Sequence, residues 1–221
     1  MILNAVMRTD EHHQLKHPYI LNLIEEDAAA FKKTGEHPIK TLFLGDSITR
    51  RWEDNIELWN TYFAPFSPAN FGVGADTLGN ILWRMQNGEL EKISPEHMVF
   101  MAGTNSLRDE SVGDIIDTLE EMVRIINRKL PQTKLLLLGI LPRNDDEDGF
   151  NYNARILQVN AALKAAVEAG CFERTVFADL APLLLAPDGR LRPELTPDGL
   201  HLNAEGYQVT GPEIARLLAR L

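Results

Sequence analysis

The sequence predicts an α/β protein in which a parallel sheet is covered by helices on both faces. Short, dense apolar runs alternate with stretches whose apolar residues recur every three or four positions, the pattern of strands joined by crossover helices. The runs are bounded by polar residues or glycine, which begin and end strands. At 221 residues and 44% hydrophobic, the chain can build one large domain around a substantial core, and nothing in its composition suggests disorder or a repeat. A single domain over residues 1–221 is expected, with residues 1–35 an N-terminal extension and a helix packed on it.

The elements follow in order. Tyr19, Ile20, Leu23, Ile24, Ala28 and Phe31 place a helix over 18–33, before a strand over 40–45 that contains Leu42-Phe43-Leu44. A second strand covers 67–72 and a helix 76–87, and a third strand over 97–102 leads to a helix over 111–130 that Pro131 ends. The fourth strand, 133–139, is almost all leucine and precedes a helix over 151–169. A fifth strand covers 174–179, and the last helix, 204–221, is capped by Asn203. Asp145-Asp146-Glu147-Asp148-Gly149 carries metal-friendly residue types. It lacks a calcium-loop spacing and follows Pro142, so a solvated loop is the better reading.

The formal net charge of -10 argues against nucleic acid or an anionic membrane surface as the main partner. Neutral small molecules, sugars and lipid-like esters fit better. No stretch reaches the apolar length of a membrane span, and the apolar start Met1–Val6 runs at once into Arg8, Thr9, Asp10 and Glu11, unlike a signal peptide. The chain as written is therefore expected to be cytoplasmic, or secreted if a leader was removed from it. Its one cysteine, Cys171, excludes an internal disulfide, and no motif calls for a metal or cofactor.

Chemistry concentrates at the strand ends, where doubly wound sheets bind ligands. Ser47 follows the first strand in Gly45-Asp46-Ser47-Ile48-Thr49, Asn70–Asp76 follows the second, and Gly103-Thr104-Asn105 follows the third. Asp198 and His201 precede the last helix. Taken singly, Gly-Asp-Ser is usually a turn or cap and a lone histidine is usually structural. Together they form a nucleophile, a base, and a carboxylate three residues earlier that can orient the imidazole. The backbone N–H of Ser47, an N–H of the Gly74-Ala75 turn and the Asn105 side-chain amide are candidates for the oxyanion hole. Asp46, beside the serine, is expected to contact substrate.

These four blocks, in this order from about residue 36 to 212, resemble those of the SGNH (GDSL-type) esterases. Asn70-Phe-Gly-Val-Gly-Ala-Asp-Thr77, Leu82–Leu90 and Leu138–Arg143 are similar to the branch containing the catalytic subunits of platelet-activating-factor acetylhydrolase Ib and bacterial carbohydrate acetylesterases. The resemblance implies a flavodoxin-like three-layer α/β/α sandwich with a five-stranded parallel sheet in the order 2-1-3-4-5. It also implies Ser47 as nucleophile, His201 as general base and acid, Asp198 as its partner and Asn105 as oxyanion donor, and relatives are often homodimers. Two positions depart from the pattern. Ala75 replaces the glycine before Asp76 and can still supply the N–H if its φ is negative, whereas otherwise the loop must shift or strain, and Ser106 stands where an aspartate or asparagine is frequent. There is no Gly-x-Ser-x-Gly elbow, since Thr49 holds the second glycine's place.

The expected activity is hydrolysis of short acyl esters, most of all acetyl esters of a carbohydrate or small molecule, with an acetylated phospholipid, a lysophospholipid or a thioester as the alternative substrate. The loops Thr49-Arg50-Arg51-Trp52 and Ser106-Leu107-Arg108 are short and carry bulky or charged groups, leaving little apolar surface for a long chain. Arg84, Arg108 and Arg143 are candidates for holding a substrate carboxylate or phosphate, with structural or solvated roles equally open. Trp52, Trp59, Trp83, Phe63 and Phe66 read as core more readily than as a sugar platform. A non-catalytic binding subunit is disfavoured by the intact set of four blocks. A nucleotide binder is disfavoured because the turn after the first strand lacks a glycine-rich phosphate cradle.

Overall fold

Five parallel strands pair in the order β2-β1-β3-β4-β5, where β1 is Thr41–Gly45, β2 Pro68–Gly72, β3 His97–Met101, β4 Lys134–Leu138 and β5 Thr175–Ala178. The computed structural model describes residues 1–145 and 148–221. Each strand lies within two residues of its expected limits, and the order is the one implied by the resemblance.

Side chains alternate between two cores, as the pleat requires. Leu42 and Leu44, Met98 and Phe100, and Leu135 and Leu137 enter one core. Phe43, Val99 and Met101, with Leu136 and Leu138, enter the other. The first core is closed by α4 (Leu78–Gln86), α5 (Val112–Lys129), α6 (Tyr152–Glu168) and part of α1 (Glu11–Thr34). The second is closed by α3 (Ile56–Phe63), α7 (Ala181–Leu184) and α8 (Ala204–Leu218). Both faces of the central strands are thus dry, which is why they read as unbroken apolar runs, while the edge strand β5 leaves Val176 exposed.

Two differences from the sequence reading bear on the site. Helix α1 begins at Glu11, seven residues earlier than expected, with Asp10 as its N-cap and Pro18 inside it. Ile20 and Ile24 seat it on the first core. The His13 and His17 rings stack at 5.1 Å, each edge-on to the half-buried Trp83, and His17 Nδ1 lies 2.7 Å from Glu89 Oε1. Helix α3, which was not expected, sends Trp59 and Phe63 into the second core beside Trp52.

The chain ahead of α1 is also docked. Leu3 N–H donates to Thr118 Oγ1 at 2.9 Å, and Val6 N–H donates to Gly79 O at 3.0 Å. In the acidic patch, Asp145 Oδ1 accepts from Tyr152 N–H and Asp148 pairs with Arg108, while Asp146 and Glu147 lie outside the described residues.

Candidate active site

Ser47 is the first residue of α2 (Ser47–Arg50), the short helix that leaves the carboxyl end of β1. Placing a helix so close to two strand ends needs residues without side chains. A Cβ on Gly45 would stand 2.5 Å from Met101 O, and one on Gly72 would stand 2.3 Å from Arg50 N. Asn70 ties the strands to the helix, accepting from Gly72 N–H and donating to Thr49 O, each at 2.8 Å. The buried Tyr207 hydroxyl donates to Ile48 O at 2.6 Å.

Asp46 does not face the cleft. Its side chain is 1% exposed, and Oδ1 accepts from Ile48 N–H at 2.9 Å, capping the first turn of α2. The substrate contact expected for it is therefore corrected to a capping role, because a buried carboxylate satisfied by backbone N–H has no reach toward a ligand. Burial, reinforced by the nearby Asp76 charge and opposed by the Ile48 N–H bond, pushes its carboxyl up to about 7.

The fold brings Ser47, His201 and Asp198 together across 154 positions of sequence. Ser47 Oγ lies 2.9 Å from His201 Nε2, and His201 Nδ1 lies 2.7 Å from Asp198 Oδ2. Asp198 Oδ1 accepts from the backbone N–H of Leu200 at 3.0 Å and of His201 at 2.7 Å. Partial burial pushes the Asp198 carboxyl up, but the His201 ring and the two backbone N–H groups outweigh it and hold the group at about 2. An ionised carboxylate here takes the Nδ1 proton as a hydrogen bond, which leaves Nε2 as the acceptor facing the serine. Asn203 caps α8 just beyond, as expected, accepting from Gly206 N–H at 3.0 Å.

Gly74 and Ala75 line the same cleft as Ser47. Ala75 adopts φ of +62°, the left-handed region that glycine occupies without strain, so the alanine keeps the glycine-type turn instead of reshaping it. Asn105, in a 3₁₀ turn after β3, sits against this loop by donating from Nδ2 to Asp76 O at 2.9 Å. The Ser47 N–H belongs to the first turn of α2, where intrahelical acceptors are missing. At the departing position after Asn105, Ser106 Oγ accepts from Leu78 N–H at 3.0 Å, so the shorter residue still makes a loop-bracing bond.

A charged network that sequence reasoning missed holds this loop. Arg84, one of three arginines considered for substrate, is fully buried and works inside the fold. Its Nε donates to Asp76 Oδ2 at 2.7 Å, Nη1 to Phe71 O at 3.2 Å and to Glu89, and Nη2 to Gly45 O at 3.1 Å. Arg8 completes the network from the N-terminal segment, donating from Nη1 to Gly74 O at 2.5 Å and Asp76 Oδ1 at 2.8 Å. One buried cation thus joins the ends of β1 and β2 to the turn between β2 and α4. Arg108 pairs with Asp148, and the Arg143 guanidinium stacks 3.8 Å from the centre of the Tyr152 ring.

The cleft measures about 680 Å³ and is lined by Ser47, Arg50, Arg51 and Glu53 on one side, the Gly74-Ala75 turn, and Leu15, Lys16 and Tyr19 of α1. The α1 residues were missed as site residues because they lie before the first strand. The apolar pair Leu15 and Tyr19, four apart and largely exposed, was the available signal. A neighbouring cavity of about 350 Å³ shares Tyr19 and Glu53 with the cleft and is lined further by Leu23, Ile39, Ile56 and Trp59.

The model of the GDSL-like Lipase/Acylhydrolase family matches residues 43–209, which contain every residue of the relay. The platelet-activating factor acetylhydrolase IB subunit alpha1 of Rattus norvegicus is 33% identical over 182 residues, covering 82% of this chain and 76% of the relative. A GDSL-like lipase from Bacteroides thetaiotaomicron superposes with a TM-score of 0.72 at 20% identity, over 91% of this chain and 98% of the other. An acetyl esterase crystallised as a serine-to-alanine mutant with acetate superposes with a TM-score of 0.58 at 22% identity, over 82% of this chain and 97% of the other. At these identities the two superpositions speak to the fold.

Proposed function

Because the chain belongs to the GDSL-like lipase/acylhydrolase family and so is a carboxylic ester hydrolase, we propose that it cleaves short-chain esters, chiefly acetyl esters of carbohydrates or other small molecules, through Ser47, His201 and Asp198. The observation that carries this reading is the unbroken relay from Ser47 Oγ through the imidazole to the Asp198 carboxylate. Ser47 Oγ attacks the ester carbonyl carbon while its proton passes to His201 Nε2. The negative oxygen is met by the Ser47 N–H, an N–H of the Gly74-Ala75 turn and the Asn105 amide. Collapse of this intermediate breaks the ester bond, and the alcohol departs with the proton from Nε2. Water then gives a proton to Nε2, attacks the acyl carbon, and returns Ser47 with release of the acid.

Two supports favour a small acyl group: the relative's acetylhydrolase name, and a serine set between the α2 turn and the Gly74-Ala75 loop. In this reading residues 1–35 belong to the same catalytic unit, since α1 walls the cleft. Hydrolysis of p-nitrophenyl acetate by the wild type, falling to background in Ser47→Ala, is the expected result. Equal rates for the two proteins would overturn the mechanism.

A second reading, acetyl hydrolysis on a lipid of the platelet-activating-factor type, is favoured by the 33% identical relative and by the adjoining cavity lined with Leu23, Ile39, Ile56 and Trp59. A panel of acyl lengths on one leaving group, followed by acetylated xylan and acetylated phospholipid in competition, separates the two. Preference for the xylan ester supports the first and preference for the phospholipid the second.

A further inference from the structure

Three cations face the cleft, and two of them are already satisfied. Lys16 pairs with Glu53, and Arg50 makes a two-pronged pair with Asp54 at 2.6 and 2.8 Å. Arg51 is different. It is half-buried, it lines the cleft with Ser47, and among the described residues its guanidinium has no hydrogen bond and no ion pair. In a chain with net charge -10, where acidic side chains outnumber basic ones, a partly desolvated arginine left without an acid is conspicuous.

Its placement is fixed by the backbone. The Arg51 N–H donates to Ser47 O, so the two residues are one turn apart at the junction of α2 with the following 3₁₀ segment. Residues four apart on a helix have side chains on the same face, with Cβ atoms about 5–6 Å apart. A guanidinium at that offset, lining the same cleft, is within the span of a small ester held at Ser47. Its planar fork matches the paired oxygens of a carboxylate or a phosphate. We infer that Arg51 selects esters whose alcohol portion carries an oxyanion, a carboxylate or a phosphate, a few bonds from the acylated hydroxyl. This inference rests on the ester-hydrolase reading of the same site and gives it a substrate class that neither the family nor the relay specifies.

The test compares 4-acetoxybenzoate, 4-acetoxyphenyl phosphate and neutral 4-acetoxybenzamide as substrates of the wild type, Arg51→Gln, Arg51→Lys, and a charge-matched control, Lys164→Gln on the distant α6. Because a hydrogen-bonded charge pair is worth roughly 10- to 100-fold in binding, Arg51→Gln should lower kcat/KM for an anionic ester at least about tenfold more than for the neutral one, mainly through KM. Arg51→Lys should restore part of the loss, Lys164→Gln should keep the wild-type ratio, and added salt should narrow the wild-type preference. A larger loss on the carboxylate or on the phosphate identifies which oxyanion is held. Turnover of all three esters with equal losses, or with none, in Arg51→Gln overturns the inference while leaving the esterase reading intact. Absence of wild-type turnover on every ester, with rates no higher than Ser47→Ala, overturns both.

Discussion

Replacing Asp198 by asparagine should damage turnover more than replacing it by alanine, and the reason lies in how its two oxygens are used. Oδ1 accepts two backbone N–H groups, from Leu200 and His201, while Oδ2 accepts from His201 Nδ1. In Asp198→Asn the amide oxygen has to stay on the two N–H groups, which turns the amide NH₂ toward Nδ1. Nδ1 then becomes an acceptor, the ring proton moves to Nε2, and Nε2 faces Ser47 as a donor that cannot take the hydroxyl proton. Flipping the amide restores the useful tautomer but sets an NH₂ against two N–H groups. At about 1–3 kcal/mol for each donor left unsatisfied, that flip costs about 2–6 kcal/mol, or roughly 30- to 10⁴-fold in the competent population. Alanine imposes no tautomer, and with the Asp198 side chain 44% exposed, water can replace it beside Nδ1. Its expected loss is therefore smaller, by the part that the wrong tautomer adds. The assay is kcat on p-nitrophenyl acetate for both variants, with thermal melts to establish that each is folded. An asparagine variant more active than the alanine variant would refute this assignment of protons to the two ring nitrogens.

Two further outcomes are expected. Ala75→Gly should raise stability, because an L-residue in the left-handed region is strained by about 1–2 kcal/mol, of which glycine's greater freedom when unfolded returns about 0.5–1 kcal/mol. A chain of this size would then gain roughly 1–4 °C in Tm, and a lower Tm would mean that the alanine methyl packs favourably. Asp46→Asn should change the pH dependence of stability. The folded Asp46 keeps its proton up to about 7 whereas the unfolded group releases it in the usual carboxylate range, so the native state holds the extra proton between these limits. Stability must then fall as pH rises through that window, by up to about 1.4 kcal/mol per pH unit. Asparagine still caps Ile48 N–H and has nothing to titrate, so Tm of the variant relative to wild type should climb from pH 5 to pH 8. A constant offset across that range would show that Asp46 stays ionised.

Much of the architecture was legible because its physics is local. Leu42-Phe43-Leu44 and the leucine run of β4 feed two cores at once, and that demand leaves a dense apolar signature. The meeting of Ser47 with Asp198 and His201 was legible for another reason: each stands at a strand end or helix start, and the doubly wound sheet gathers such points at one edge. Helix α1 was read too short because Pro18 suits a first turn, whereas here it is accommodated well inside a helix capped by Asp10. Asp46 was misjudged, and Arg84 left undecided between substrate and structural roles, because burial decides what a charged residue does, and burial is a property of the assembled fold. The φ of Ala75 is set by the loop that Arg8 and Asp76 anchor, so no propensity of alanine could have revealed it. Arg51 looked like any charged loop residue until its neighbours Lys16 and Arg50 were seen to have partners of their own.

One part of the cleft's lining comes from Leu15, Lys16 and Tyr19, on a helix that precedes the entire sheet in the chain. Part of the cleft's shape is consequently written far from the serine in the polypeptide, and part, at Arg50, Arg51 and Glu53, beside it. Changes in the first turns of that helix can reshape the cleft without altering the strand ends around Ser47. Descendants of such a protein can therefore diverge in diet while inheriting one unaltered chemical engine.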